Sequence, residues 1–314
     1  VEDVIAHFDR PDYLRILHGD PMPLVSDCLR GMLVAAPGHG FVCCDYSNIE
    51  GRVLAWLACE EWKLQAFRDF DAGTGADLYL LAYAKGFRCG IDDAKPFRQV
   101  GKVMELALGY GGGVGAFQTM ARGYGVKVTD ARADELKHAW RSAHEYVVKF
   151  WGDLERAAIR AVREGGIHRA GPIAFRVSGS FLWCQLPSKR VLCYPYPQLQ
   201  DKETPWGKVV QQLTYMSVNG VTRKWERCGT YGGSLAENVT QAVARDILVA
   251  GMRACEAAGY PVVMHVHDEV VAEVPLSAAK SVDEMATVMS NGPHWAAGLP
   301  VSATGWSGRR YRKD

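Results

Sequence analysis

"MHVHDEVVAEV", residues 264–274, sets valines on both sides of the polar triplet His267-Asp268-Glu269. Val263, Val266, Val270 and Val271 read as strand, and burying an unpaired carboxylate in a strand is costly. The pattern fits a strand, a polar turn and a second strand, with acid at the turn stabilised by a cation.

Working outward, "FVCCD" (41–45) reads as a short apolar strand after the breaker run Pro37-Gly38-His39-Gly40 and ends at Asp45. "SNIEGRVLAWLACEEWKLQAFRDF" then switches to helical period, with Ile49, Val53, Leu57, Leu64 and Phe67 on one side. Ser47 and Glu50 have the spacing of a capping box, which predicts the helix start there. Residues 92–110 predict a second helix capped by Asp92 or Asp93, with Pro96 in its first turn and the glycines of 109–113 stopping it. Residues 129–164 predict a helical hairpin ending at Gly165-Gly166. Residues 172–228 hold β-like runs divided by Pro and Gly. A helix closing at Gly259, the strands of 262–274 and a helix near 277–290 follow. The order of strand, helices, strands, helix and strands predicts an α+β fold with a helical insertion. There is no internal repeat and no low-complexity linker.

Asp45 ends one strand and Asp268 sits between two others; each has a glutamate nearby, Glu50 and Glu269. Taken singly, Asp45 caps a helix and Asp268 shapes a turn. Together, flanked by apolar strands, they suggest carboxylates that share a cation rather than repel. Magnesium takes oxygen ligands and keeps places for waters and phosphates. Two such ions stabilise both attacking and leaving oxygens in phosphoryl transfer. Arg98, Lys102, Leu106 and Tyr110 recur at a step of four and share one helical face. On spacing alone that is a solvated basic stripe over Leu and Tyr; its two cations also suit a triphosphate.

The chain has 314 residues, 48% of them hydrophobic and 23% charged, as in ordinary globular proteins, so more than one domain is expected. No apolar run is long enough to cross a bilayer, so no membrane partner is expected. No charged-then-apolar leader opens the chain. It starts at Val1, so a start upstream or a removed segment is expected. Nine scattered cysteines without a C-x-x-C pair argue against a zinc site and a disulfide scaffold, and point to reduced thiols in a cytosol. A net charge of +1 gives no global pull toward nucleic acid. The tail Arg309-Arg310-Tyr311-Arg312-Lys313 is the clearest basic cluster, and its plainest reading is a disordered, solubilising end.

"DYSNIEGRVLAWL" (45–57), "RQVGKVMELALGYG" (98–111) and "HDE" (267–269) resemble the three motifs of the family A DNA polymerases, the DNA polymerase I type. "SDCLRGMLVAAPGHGFVCCDYSNIE", "LPSKR", "YGGSLAEN" and "QAVARD" resemble its bacteriophage-type branch in the same order, so the likeness runs from about residue 25 to the end. The resemblance implies an antiparallel palm sheet with helices on one face and an inserted, mainly helical fingers subdomain: palm 1–62, fingers 63–168, palm 169–314. It implies a DNA-directed DNA polymerase in a bacterial cytosol, adding deoxynucleoside triphosphates to primer-template DNA with two magnesium ions, or manganese in their place.

By position, Asp45 and Asp268 match the metal-holding carboxylates, with the Tyr46 backbone carbonyl also on a metal. Glu269 matches the acid beside the site. His267 matches the residue near the primer end, and Glu50 the steric gate against a ribose 2′-hydroxyl. Arg98 and Lys102 match the triphosphate grip, and Tyr110 the tyrosine near the templating base. Gln241 matches a minor-groove contact, and Arg245 is a further DNA contact. Leu106 departs from an aromatic in many relatives, and Tyr79 from a triphosphate-contacting histidine. The family's thumb, exonuclease and upstream primer-binding segment have no counterpart in these residues. The expectation is therefore a palm and fingers portion, with one alternative: a subunit inactive until joined by a separate N-terminal chain carrying the thumb. A nucleic-acid-binding remnant and a single-subunit RNA polymerase are the rivals, and Glu50 speaks against the latter.

Overall fold

The computed structural model describes residues 2–203 and 207–312. Its strands are β1 (His39–Tyr46), β2 (Ile167–Ala170), β3 (Ile173–Ser178), β4 (Phe181–Gln185), β5 (Val191–Pro195), β6 (Gln198–Glu203), β7 (Val209–Val218), β8 (Trp225–Gly229), β9 (Val262–Val266), β10 (Glu269–Pro275) and β11 (Ala303–Gly308). They form three sheets, ordered β11-β1-β10-β9, β2-β3-β4-β5 and β6-β7-β8, with antiparallel pairs throughout. Helices and antiparallel sheets together make the expected α+β fold. The chain divides into two compact units. One comprises Val1–Ser47, Ile247–Gly292 and Val301–Asp314; the other comprises Asn48–Asp246 and Pro293–Pro300. Among the described residues, no helix is long and apolar enough to cross a membrane.

The first unit is built on the sheet β11-β1-β10-β9. Side chains alternate along a strand, so Cys43 and Asp45 share one face of β1 while Cys44 and Tyr46 share the other. On the second face the Cys44 thiol meets the carbonyl of Val282 at 3.6 Å and the buried Tyr46 hydroxyl donates to the carbonyl of Met289 at 3.1 Å. Both carbonyls belong to the helix Val282–Ser290, so this face is the helix-covered one. The long helix Gly232–Ala257 approaches it as well. A Cβ at Gly251 would lie 2.1 Å from the Tyr46 hydroxyl, so only glycine allows that approach. On the first face Phe41, Cys43, Val271, Trp306, Tyr311 and Ala35 form an apolar cluster.

The second unit opens with helices. The predicted run from Ser47 breaks into Ile49–Ala58 and Glu61–Asp71, with Cys59 left-handed at the break (φ 58°). Leu64 and Phe67 pack on Ala55, which lies off the face expected from the periodicity, because the break at Cys59 re-aims the second helix. The capping box is not made: Asn48 is the N-cap, without a side-chain cap bond. The Ser47 amide donates to Ser302, and the Glu50 carboxylate is engaged by Tyr110 instead. The predicted helix 92–110 is three pieces, Ile91–Ala94, a 3₁₀ turn Lys95–Phe97 and Arg98–Leu108, because Pro96 has no N–H to continue the ladder. Asp93 does cap the first piece, accepting from the Gly90 amide at 3.2 Å. The helical hairpin is Asp130–Ala143 and Glu145–Glu164. The buried Glu60 carboxylate accepts from the amides of Tyr146 (3.0 Å) and Val147 (3.2 Å), satisfying the first turn of the latter helix. The helix expected near 277–290 starts at Val282, with Ser281 as its cap.

The helix Arg98–Leu108 is anchored by a buried charge cluster. Glu105 is paired with Lys63, accepts from the Trp140 indole at 2.8 Å and lies 3.2 Å from His144 Nε2. His144 Nδ1 donates to the carbonyl of Trp140 at 2.9 Å. Burial alone would push the Glu105 carboxyl up, but Lys63 and His144 outweigh it and hold it well below the usual carboxylate range. A carboxyl depressed on folding contributes stability above its unfolded value near ~4.3, and that stability is lost as pH falls through the acid range. We therefore expect Glu105→Gln to be destabilised by about 3–5 kcal/mol at neutral pH in urea unfolding. The difference from wild type should shrink as pH drops below ~4.

Candidate active site

Two clusters of side chains with chemical potential emerge, one in each unit. In the first, register does the work. β1 pairs with β10 so that Asp45 faces Glu269, and β10 pairs with β9 so that Glu269 faces Val266. His267 and Asp268 are thus the two residues of a tight hairpin turn. His267 is left-handed (φ 54°), as the turns that match strand twist require at that position. The Tyr46 amide contacts the carbonyl of Asp268 at 3.4 Å, which ties the turn to the end of β1. Asp45 and Asp268, remote in sequence, line one cavity of about 310 Å³ with Glu269, His267, Arg30 and Tyr311.

Asp45 is exposed on the face of the sheet opposite the one that packs on the helix Val282–Ser290. The Glu269 carboxylate accepts a short hydrogen bond (2.5 Å) from the Tyr311 hydroxyl. Burial, then that bond and the glutamate charge, push the Tyr311 phenol well up, with Arg30 opposing. The basic tail is therefore not a loose end. Tyr311 is buried, Arg310 pairs with Glu2 (2.7 and 2.9 Å), and Arg310 forms an isolated bridge to Val34. Lys313 lies outside the described residues. Tyr311 and Arg30 are site residues that the sequence reading missed; an aromatic inside a basic run was the available signal.

The donor set of the cavity is three carboxylates, of Asp45, Asp268 and Glu269, with the Tyr46 backbone nearby, all hard oxygen. Among the described residues, no group of three or more His, Cys, Asp or Glu could hold a metal ion. An ion bound here would complete its shell with waters and phosphate oxygens, the habit of magnesium. The Tyr46 side chain points to the helix-covered face, so only its backbone carbonyl is a candidate ligand.

In the second unit, Arg98 opens its helix half-exposed, pairs with Asp77 (2.8 and 3.2 Å) and lies 5.3 Å from the Tyr79 ring centroid. Lys102, one turn on, lies 6.0 Å from the same ring and 4.8 Å from that of Tyr124. Leu106 is exposed on the next turn. Tyr110 does not continue the stripe: the helix ends at Leu108 with Gly109 as its cap. Beyond the helix its hydroxyl donates to Glu50 at 2.9 Å. Burial first, then the Glu50 charge, push the Tyr110 phenol far up, so it remains a donor. Glu50, Tyr79, Leu106 and Tyr110 line a cavity of about 100 Å³ together with Lys63 and Glu105. Burial, then Glu105, raise Tyr79 as well. Gln241 and Arg245 are exposed on the helix Gly232–Ala257 and line neither cavity.

No family model matches the chain. It is 39% identical over 305 residues to a DNA polymerase of Bacillus phage SP02, covering 96% of this chain and 45% of the relative. A DNA polymerase of Mycobacterium phage D29 is 30% identical over 137 residues, 43% of this chain and 21% of the relative. DNA polymerase I of Treponema pallidum (strain Nichols) is 28% identical over 124 residues, 39% of this chain and 10% of the relative. Among solved structures, the POL domain of Pol1 from M. smegmatis, in complex with DNA primer-template and dNTP, superposes with a TM-score of 0.54 at 19% identity, covering 90% of this chain and 42% of that one. That likeness concerns the fold. The chain thus spans less than half the length of the relatives it matches. Over nearly its whole length the chain is similar to a DNA polymerase, and over part of it to one named DNA polymerase I.

Two outcomes test this geometry. A Cβ at Gly101 would lie 2.0 Å from the Tyr79 carbonyl, so Gly101→Ala should cost about 1–3 kcal/mol in thermal or urea unfolding. Difference absorbance titration of wild type against Tyr110→Phe should show no phenolate from Tyr110 at pH ~10, where an ordinary phenol is half ionised.

Proposed function

We propose that the chain is the catalytic palm and fingers portion of a template-directed DNA polymerase. It would add deoxynucleotides to a primer 3′-hydroxyl, with 63–168 as fingers and the flanking segments as palm. The observation that supports this most is the convergence of Asp45 and Asp268 on one cavity, beside Glu269, at the end of an antiparallel sheet. Asp45, Asp268 and the Tyr46 carbonyl are the residues that would hold divalent ions, magnesium first and manganese as substitute. When bound, such ions supply charge stabilisation for the attacking and leaving oxygens.

The chain's own residues position the reactants. Arg98 and Lys102 neutralise a triphosphate, and Arg98 exchanges Asp77 for a phosphate as it does so. The Tyr79 ring lies against both cations and keeps them side by side, a part a neutral phenol can play without carrying charge. Leu106 offers an apolar surface to the nucleotide. Glu50, fixed by Tyr110, fills the space a 2′-hydroxyl would need. Tyr110 stands for the templating-base contact, His267 for the primer end, and Gln241 and Arg245 for contacts with the duplex. The Glu269 carboxylate, held by Tyr311, adds negative field beside the ions. The complex of the M. smegmatis relative with primer-template and dNTP supports these partners.

Primer extension by this chain, alone and with a thumb-bearing upstream polymerase segment added, is the test. Asp45→Asn should drop extension to background in both arms while leaving the fold intact. Extension at the wild-type rate by that variant would remove the proposal. Glu50→Ala should raise incorporation of ribonucleotides relative to deoxynucleotides.

A further inference from the structure

The tail that packs Tyr311 on the sheet of the first unit also lines a second cavity. It has a volume of about 460 Å³ and is lined by Asp27, Arg30, Trp306, Arg309, Arg310 and Arg312 among others. Arg30, Trp306 and Tyr311 line both this cavity and the one that holds Asp45 and Asp268. The two therefore adjoin across these shared residues, and the trough they outline is acidic at one end and carries four arginines against one aspartate at the other.

The four arginines have different standing. Arg310 is committed to the fold through Glu2 and the carbonyl of Gly31. Arg312 lies over the Trp306 ring at 5.1 Å. Arg30 and Arg309 are exposed, and among the described residues neither guanidinium makes a hydrogen bond or an ion pair. Arginine is the side chain whose planar fork suits a phosphate.

We propose that Arg30 and Arg309 bind the sugar-phosphate backbone of the nucleic-acid strand whose 3′ end reaches the acidic cavity. The polarity of the trough selects this occupant. A strand end presents an uncharged hydroxyl to the acidic end and places its phosphates, one for each ~3.4 Å of rise, toward the arginines. A free triphosphate would bring its charges to the carboxylates instead. This inference rests on the polymerase reading above and adds a strand-holding site to it.

The test is fluorescence anisotropy of the full chain on a primer-template duplex in EDTA, across a salt series. Arg30→Ala and Arg309→Ala should each weaken binding and lower the log–log salt slope by about one, and the double variant by about two. Arg309→Lys keeps the charge and should keep the slope, which separates lost charge from lost fold. Neutral methylphosphonate linkages next to the primer 3′ end should weaken binding by wild type and have no further effect on the double variant. A double variant with the wild-type slope would overturn the inference. So would a raised KM for the nucleotide with unchanged DNA affinity, which would assign the arginines to the triphosphate. Failure of the polymerase reading shows separately, as an Asp45→Asn protein that still extends primers.

Discussion

The antiparallel register of β1 on β10 is the constraint on which the rest depends. One ladder sets Asp45 opposite Glu269 and places Asp268 at the adjoining turn. Side chains alternate in a strand, so a slip of one residue would send Asp45 to the helix-covered face and bring Tyr46 into the open. Both faces guard against the slip. Tyr46 is buried against Met289 and Gly251, while Cys43 and Val271 pack on Trp306 and Tyr311. The carboxylates are held by backbone hydrogen bonds and an apolar sandwich. Their mutual repulsion is tolerable because the cavity they line is open to water and to cations.

The second unit meets a related problem with different means. A helix carrying Arg98 and Lys102 on one face must be kept from turning. Glu105, about two turns beyond Arg98 on that same face, does this where the helix is buried, through Lys63, Trp140 and His144. Gly101 lets the helix settle against the backbone of Tyr79, which sets that ring beside both cations. Exposed charge at the start of that face and paired, buried charge towards its end thus fix one orientation. Breaking a buried pair leaves an uncompensated ion, so such a cluster resists partial rearrangement.

The C-terminal segment shows how composition misleads when read without contacts. Four basic residues around a tyrosine look like a solvated end. Tyr311 nevertheless has a place under Trp306 and a bond to Glu269, and Arg310 has Glu2 and the carbonyl of Gly31. These partners lie far away along the chain, and no local pattern announces them.

The sequence by itself determined the elements that obey a short period. The alternation around Asp45 and Asp268, the helical hairpin after 129 and the β-rich run after 172 were legible, because side-chain periodicity is a local property. The resemblance named Asp45, Glu50, Arg98, Lys102 and Asp268 as a set, and of these the structure brings Asp45 and Asp268 to one cavity. Helix breaks at Cys59 and Pro96, the use of Glu50 as partner of Tyr110 in place of a cap, and the burial of Glu105 were decided by tertiary structure. So were the convergence of two remote aspartates on one cavity and the joining of an acidic and a basic hollow through Arg30 and Tyr311. Register and long-range pairing depend on which strands meet, and that choice rests on contacts between residues that the sequence keeps far apart.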